Sequence, residues 1–397
     1  MRPSLNVLMV DQAITFGGSI VVMANIANNF PSNVLCSVIY EVNNDIADTF
    51  FSEHVRKRSV RNMLDYRTAG QMSAWIHSFK LKVFKVLCFK LLAMGKIVAN
   101  ILQVIRISRI ILVDRIDIVH SNNSNAAIIA AKLLRKKVIL HLHGIGSYEK
   151  DRLREKVDGY ISISKFVSNQ AIIKGYSKNK ITLLPNPVLD VKIDTVRSNF
   201  FRKKFNIGDS DKVLGVVGRI IDWKGQLEFL DAAGIVMEKM DGVKVLIIGD
   251  ISDGTEEYLE KVKNKITKLG ITDKVILTGY ISDIHNVMAN LDLLVHCSIL
   301  PEPFGLVITE AMSLGIPVVA SDKGAPPEIV KIGETGFIVD PNDKDQMASY
   351  ILNILGNDEL ARIMGNKAKD DVFENYNIKN YMNSLTNKYE NLLGICK

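Results

Sequence analysis

Seven residues separate Glu302 from Glu310 in the stretch Pro301-Glu302-Pro303-Phe304-Gly305-Leu306-Val307-Ile308-Thr309-Glu310. Prolines on both sides of Glu302 favour extended or turning backbone there. Gly305 opens an apolar run, Leu306 to Leu314, that Gly315 and Pro317 close, which predicts a short helix. Glu302 then lies on the entry loop and Glu310 inside the helix. The N–H groups of Gly305, Leu306 and Val307 have no intrahelical acceptor at such a terminus, which attracts anions. A carboxylate beside those amides suits a ligand with both hydroxyls and phosphates. Taken alone, the same residues also fit a carboxylate that complements the helix dipole and a solvated Glu310.

A second loop, Gly218-Arg219-Ile220-Ile221-Asp222-Trp223-Lys224-Gly225, carries a guanidinium fork and an ammonium point charge, a pair suited to a diphosphate. It follows a predicted strand, at the edge where open α/β sheets bind ligands. Gly249-Asp250 ends a further strand at that edge. Three βα loops, one cationic, one helix-terminal and one carboxylate, therefore predict a site for a phosphate-bearing ligand. His143 ends a strand of the first half, before Gly144, with His141 two residues earlier on the same face. A strand-end histidine is also often structural, and His120 and His296 are read as structural. Gly17-Gly18 forms a turn after the first strand, where a ligand can approach the backbone; a plain tight turn fits as well. No Asp-x-Asp ends a strand and no Cys/His set has ligand spacing, so no metal site is expected. No Walker loop and no Gly-x-Ser-x-Gly is present, which disfavours P-loop and serine-hydrolase chemistry.

The elements that position these residues alternate along the chain. Apolar strands are expected at Leu5–Val10, Val34–Tyr40, Asp117–Ser121, Lys137–Gly144, Val157–Ser164 and Ile181–Pro187. Helices are expected through Asn29, at Asn125–Leu134 and at Lys165–Lys174. After a polar linker near Asp190–Arg202, a second series has strands at Val213–Val217, Val243–Ile248, Val275–Thr278, Leu291–Cys297, Pro317–Ser321 and Phe337–Val339. Runs apolar throughout indicate parallel sheets covered on both faces. Helices over Asp358–Phe373 and Ile378–Leu393 follow no strand, and the last is expected to cross back onto the first domain. The fold class is α/β, with two doubly wound units. The domains are 1–190, completed by 376–397, and 191–375.

At 397 residues and 47% hydrophobic content the chain is globular and long enough for two domains. Its four cysteines are scattered, which fits a reducing compartment. Met1-Arg2-Pro3-Ser4 runs into a strand, so no signal peptide is expected. Residues 1–190 hold 26 Lys and Arg against 13 Asp and Glu, whereas the remainder holds 24 against 30. Between Val55 and Arg115, 13 basic residues face only Asp65 and Asp114. Phe79–Val113 is mostly apolar but carries Lys80, Lys82, Lys85, Lys90, Lys96, Arg106 and Arg109. Its longest uncharged run, Ile97–Ile105, is nine residues, too short to span a bilayer. Such a stretch reads as a membrane-surface element, or as core helices with snorkelling lysines.

With these residues assembled, the sequence resembles glycosyltransferase family 4, of the GT-B fold with two Rossmann-like domains facing across a cleft. The match is carried by Ser162-Ile163-Ser164-Lys165, Leu184-Pro185-Asn186, Gly218-Arg219 with Lys224-Gly225, and Glu302-Pro303-Phe304-Gly305 through Glu310-Ala311-Met312. It continues through Gly315–Ser321, Glu328-Ile329-Val330 and Thr335-Gly336-Phe337. The resemblance implies metal-independent, retaining transfer of a sugar from a nucleotide-sugar to an acceptor hydroxyl. The donor, UDP- or GDP-linked, is a co-substrate, and no cofactor is expected. Arg219 and Lys224 would bind the donor diphosphate. Glu302 would contact the donor sugar, beside the backbone of Phe304, Gly305, Leu306 and Val307. Glu310 would hold the ribose and His143 would stand at the reacting centre. Gly17 and Gly18 would line the cleft. The N-terminal domain would bind the acceptor, a glycan or lipid-linked sugar, on the cytoplasmic face of an anionic membrane; nucleic acid is not an expected partner. Two departures are Asn186-Pro187, where Asn-Gly is usual, and Ala325-Pro326-Pro327, where Gly-Gly is usual before Glu328. An epimerase or hydrolase of the same fold, and a non-catalytic partner subunit, are the alternatives.

Overall fold

Apolar segments that cannot be solvated on either face set the architecture, which a computed structural model of the chain describes over residues 5–11, 17–40, 49–58, 72–73, 82–144, 152–251 and 254–395. Two compact units result. The first comprises Met1–Ile163, Val167–Pro187 and Ile378–Lys397, the second Ser164–Phe166 and Val188–Asn377.

The first unit is built on seven strands: β1 (Leu5–Asp11), β2 (Val34–Tyr40), β3 (Arg56–Lys57), β4 (Ile118–Ser121), β5 (Lys137–Leu142), β6 (Gly159–Ser162) and β7 (Ile181–Leu183). Their order is β3-β2-β1-β4-β5-β6-β7, with every pair parallel. Helices α1 (Gly18–Asn28), α2 (Lys82–Val113), α3 (Asn125–Leu133) and α4 (Lys165–Ile173) connect them. Val7 to Val10 are fully buried, as a strand covered on both faces requires. Ser124 caps α3, its hydroxyl accepting from Ala127 N–H at 3.0 Å. The strand order reverses between β1 and β4, so the ends of these two strands flank the switch point.

The second unit carries α5 (Thr195–Lys204), β8 (Lys212–Val217), α6 (Gln226–Lys239), β9 (Val243–Ile248), α7 (Glu256–Lys268), β10 (Val275–Gly279), α8 (Ile284–Met288) and β11 (Leu293–His296). Then come α9 (Leu306–Ser313), β12 (Val318–Ser321), α10 (Pro326–Ile329), β13 (Gly336–Val339), α11 (Lys344–Leu355) and α12 (Asp358–Asn375). The sheet order β10-β9-β8-β11-β12-β13 reverses between β8 and β11. Phe229, Leu230, Val245, Ile247, Leu293 and Ile351 form part of its core.

One expectation is corrected here. The polar segment read as a linker contains α5. Asp194 caps that helix, accepting from Val196 and Arg197 N–H. Arg202, Lys203 and Lys204 occupy its last turn, where cations complement the dipole. Phe201 and Phe205 anchor it by burial. Two apolar anchors among charged residues are too few to show a helical period.

The last helix, α13 (Ile378–Leu393), belongs to the first unit, as expected of a helix crossing back. Its residues Tyr381, Met382, Leu385 and Tyr389 are buried. The 32-residue α2 sits on the same unit by one face, through Leu92, Ile107 and Ile111. Lys80 lies outside the described residues, as do the side chains of Lys82 and Lys85.

Candidate active site

In the second unit the switch point gathers three loops. The β8–α6 loop brings Arg219 and Lys224 to the sheet edge. Gly225 adopts φ +69° there, and a Cβ on it would lie 2.0 Å from the Cys297 carbonyl oxygen, so only glycine lets this loop sit on the end of β11. Lys224 Nζ donates to Glu302 Oε2 at 2.6 Å and lies 4.2 Å from the Trp223 ring centroid. Arg219 is exposed, and its guanidinium forms no ion pair with an acid among the described residues.

Glu302 is 9% exposed, and one of its carboxylate oxygens takes three donors. Its Oε2 also accepts from His296 Nε2 and from Ser298 Oγ, both at 3.2 Å. Its backbone is clamped by the β12–α10 loop: Glu302 N–H donates to Lys323 at 3.0 Å, and Ala325 N–H donates to Glu302 at 2.9 Å. The Ala-Pro-Pro departure therefore keeps the amide that grips Glu302. Burial pushes the pKa of this carboxyl up, but Lys224 and His296 outweigh burial and hold the pKa well below the ordinary carboxylate range. It is a carboxylate at any physiological pH.

Helix α9 begins where the sequence predicts, with Gly305 at φ +100° and no side chain capping it. Ile308 N–H donates to Gly305 at 3.0 Å, and the amides of Leu306 and Val307 have no acceptor within the helix. Leu306 and Val307 are half-buried, and Phe304, 3% exposed, packs edge-on against Tyr376. Glu310 lies further along the helix, where burial raises its pKa to about 7.

In the first unit, Asp11 ends β1 and Asn122 follows β4, on the two sides of that unit's switch point. Asn122 Nδ2 donates to Asp11 Oδ2 at 2.9 Å. His143 follows β5. Burial pushes its pKa down to about 4, against the opposing pull of the Asp11 carboxylate. It is therefore neutral near pH 7. Gly17 is the N-cap of α1, with extended backbone and no side-chain cap on the helix.

Sequence reasoning left four of these residues aside. His296, expected to be structural, donates to Glu302. Ser298, Asp11 and Asn122 were not singled out. Their signal was position: all lie at or just past the C-terminal ends of the strands beside a switch point. Among the described residues no cluster of three or more histidine, cysteine or acidic side chains is placed to hold a metal ion.

Two doubly wound parallel-sheet units with polar loops at their switch points define the GT-B class of fold. The crystal structure of the Anabaena protein Alr3699/HepE in complex with UDP superposes with a TM-score of 0.77 over 98% of this chain and all of that one, at 21% identity. The family described as "Glycosyltransferase Family 4" matches residues 74–189, and "Glycosyl transferases group 1" matches residues 197–371. The two together cover most of the chain, which belongs to glycosyltransferase family 4. It is 29% identical over 48% of its length to the N-acetyl-alpha-D-glucosaminyl L-malate synthase of Bacillus anthracis, spanning 49% of that relative. It is 25% identical over 74% of its length, and 80% of the relative's, to an Escherichia coli UDP-Gal:alpha-D-GlcNAc-diphosphoundecaprenol alpha-1,3-galactosyltransferase.

Proposed function

We propose that this chain is a retaining, metal-independent glycosyltransferase that moves a sugar from a nucleotide-sugar to an acceptor hydroxyl, in the synthesis of a surface polysaccharide, lipopolysaccharide or glycolipid. The observation that carries this reading is the Lys224–Glu302 pair beside the uncapped first turn of α9. Arg219 and Lys224 supply the positive charge that a departing diphosphate needs, in the role a metal plays elsewhere. Backbone amides of Phe304 to Val307 add dipoles at the same end. Glu302 accepts from three donors already, which suits it to hold sugar hydroxyls and not to take up a proton. Glu310 receives the ribose hydroxyls. His143, neutral and facing Asp11, acts at the donor sugar, and Gly17 and Gly18 offer uncapped backbone to the acceptor side. A UDP-linked donor is supported by the UDP in the Anabaena structure and by the UDP-galactose in the Escherichia coli relative's name; a GDP-linked donor is the second choice.

The acceptor is a glycan or lipid-linked sugar taken at an anionic membrane surface on the cytoplasmic side. The support is α2. By length and composition, Cys88–Val113 is apolar enough to cross a membrane, although the nine-residue uncharged run is not. Ile107 and Ile111 are fully buried on their own unit, so the helix is proposed to lie on the surface and not to span it. Leu91, Met94, Ile97, Ile101, Ile105 and Leu112 are 54–62% exposed. At about 100° per residue these six fall within roughly a third of the circumference, opposite the buried face. The helix holds six cations and no acid, matching an anionic headgroup layer.

A panel of nucleotide-sugars, scored by thermal stabilisation and by release of nucleoside diphosphate with and without acceptor, tests the reading. One donor should stabilise the protein and be consumed faster with acceptor. If no nucleotide-sugar in the panel stabilises it, the reading fails.

A further inference from the structure

The core of the first unit contains a column of polar rings of which catalysis, as proposed above, uses only the last, His143. His120 on β4 and His141 on β5 are fully buried, among residues such as Val119, Ile139 and Leu140 that are equally buried. Tyr389, fully buried on α13, meets His120 from the covering helix layer. Its hydroxyl lies 2.5 Å from His120 Nδ1, and His120 Nε2 lies 3.0 Å from His141 Nδ1. His143 continues the column, its ring centroid 4.0 Å from that of His141 at an interplanar angle of 38°. Burying these polar atoms costs free energy unless each is bonded. An apolar trio would fill the same space without that requirement.

The proton order follows from the bonding. Among the described residues the Tyr389 hydroxyl has one hydrogen-bond partner, His120 Nδ1. A buried hydroxyl proton needs an acceptor, so Tyr389 donates and His120 Nδ1 accepts. The neutral His120 ring then carries its proton on Nε2 and donates to His141 Nδ1. His141 in turn carries its proton on Nε2. Burial keeps both rings neutral, pushing His120 down to about 3 and His141 well below the ordinary value. One hydroxyl thus selects one tautomer and one ring plane for two histidines in succession, and the His143 ring rests on the second.

We propose that Tyr389 is a positioning residue for His143, acting through the tautomers and ring planes of His120 and His141. The inference rests on the reading that His143 acts at the donor sugar. It adds that the C-terminal helix helps to set the pose of that ring.

The test uses the full chain with 15N-labelled histidine. In the unsubstituted protein, the His120 and His141 signals should both report a proton on Nε2. Tyr389→Phe removes one oxygen and keeps the ring. It should convert His120 and His141 to mixed tautomers and shift or broaden the His143 signals. With the donor found active, kcat should fall about tenfold, as when an outer partner that fixes a ring is lost, while the donor KM stays within about twofold. His120→Asn should have the same effect, and the double variant should be no worse than either. Unchanged His143 signals in Tyr389→Phe overturn the proposal, whatever the stability change. His143→Ala separates the two readings. If that variant keeps full turnover, the role of His143 fails, whereas the histidine spectra still decide the positioning.

Discussion

Lys224 Nζ and Glu302 Oε2 stand 2.6 Å apart in the second unit, with side chains 17% and 12% exposed. In the function proposed above, the first binds the donor diphosphate and the second the donor sugar. On that proposal, their pairing puts both roles in one small patch.

Lys224→Ala should therefore lower turnover by about two to three orders of magnitude, the usual cost of losing one donor to developing charge. Glu302 keeps His296 and Ser298 as partners, so the fold should survive. Circular dichroism and initial rates check both parts. Normal transfer by this variant removes the diphosphate assignment.

As the proposed ribose contact, Glu310 should give donor binding a pH dependence. Its pKa is raised to about 7 by burial. Two ribose hydroxyls donate better to the carboxylate than to the acid, so a bound nucleotide lowers that pKa. Binding then releases protons below about pH 7, and affinity for the nucleoside diphosphate falls as pH drops from 7 towards 5. Titration calorimetry in buffers of different ionisation enthalpy reads the proton count. Glu310→Gln should abolish the pH step; a step that persists in it assigns the titration elsewhere.

His143 titrates near pH 4, where burial puts it despite Asp11. Because the folded pKa lies below the ordinary histidine value, the unfolded chain binds the extra proton first. His143 thus weakens the fold as pH falls from about 6.5 towards 4. His143→Gln should make the acid limb of a stability-versus-pH curve shallower in that window, with His120 and His141 still contributing to it. An unchanged limb contradicts the buried neutral ring.

Ile97→Glu with Ile101→Glu should release the protein from vesicles containing anionic phosphatidylserine, and added salt should release the unsubstituted protein. Co-sedimentation measures both. Binding that is insensitive to both changes means that α2 is not the contact.

Asp194→Ala should cost the second unit about 1 kcal/mol, the usual value for a lost N-cap. Denaturant unfolding would show this as a lower midpoint, and no change would mean that the cap adds nothing to the other contacts that hold α5.

Much of this was legible in the chain. Strands such as Val34–Tyr40 and Val243–Ile248 announce themselves as apolar runs between polar turns, and α9 by its glycine start. The motif loops were legible because glycines and charges at strand ends have few other uses. The contents of the sites were only half legible. His296 and Ser298 reach Glu302 because β11 ends where it does, and no local spacing encodes that approach. Asp11 and Asn122 come from strands over 100 residues apart, joined only by sheet order. Helix α5 stayed hidden because its two buried phenylalanines sit among cations, and β3 because two residues make no pattern.

The return of α13 to the first unit has a consequence for biosynthesis. The ribosome delivers all of the second unit before Tyr389 emerges to meet His120 on β4. Until then His120 lacks the hydroxyl that meets its Nδ1. The first half of the chain is thus the last to finish folding, and nascent chains stalled before residue 378 should be the ones that chaperones hold.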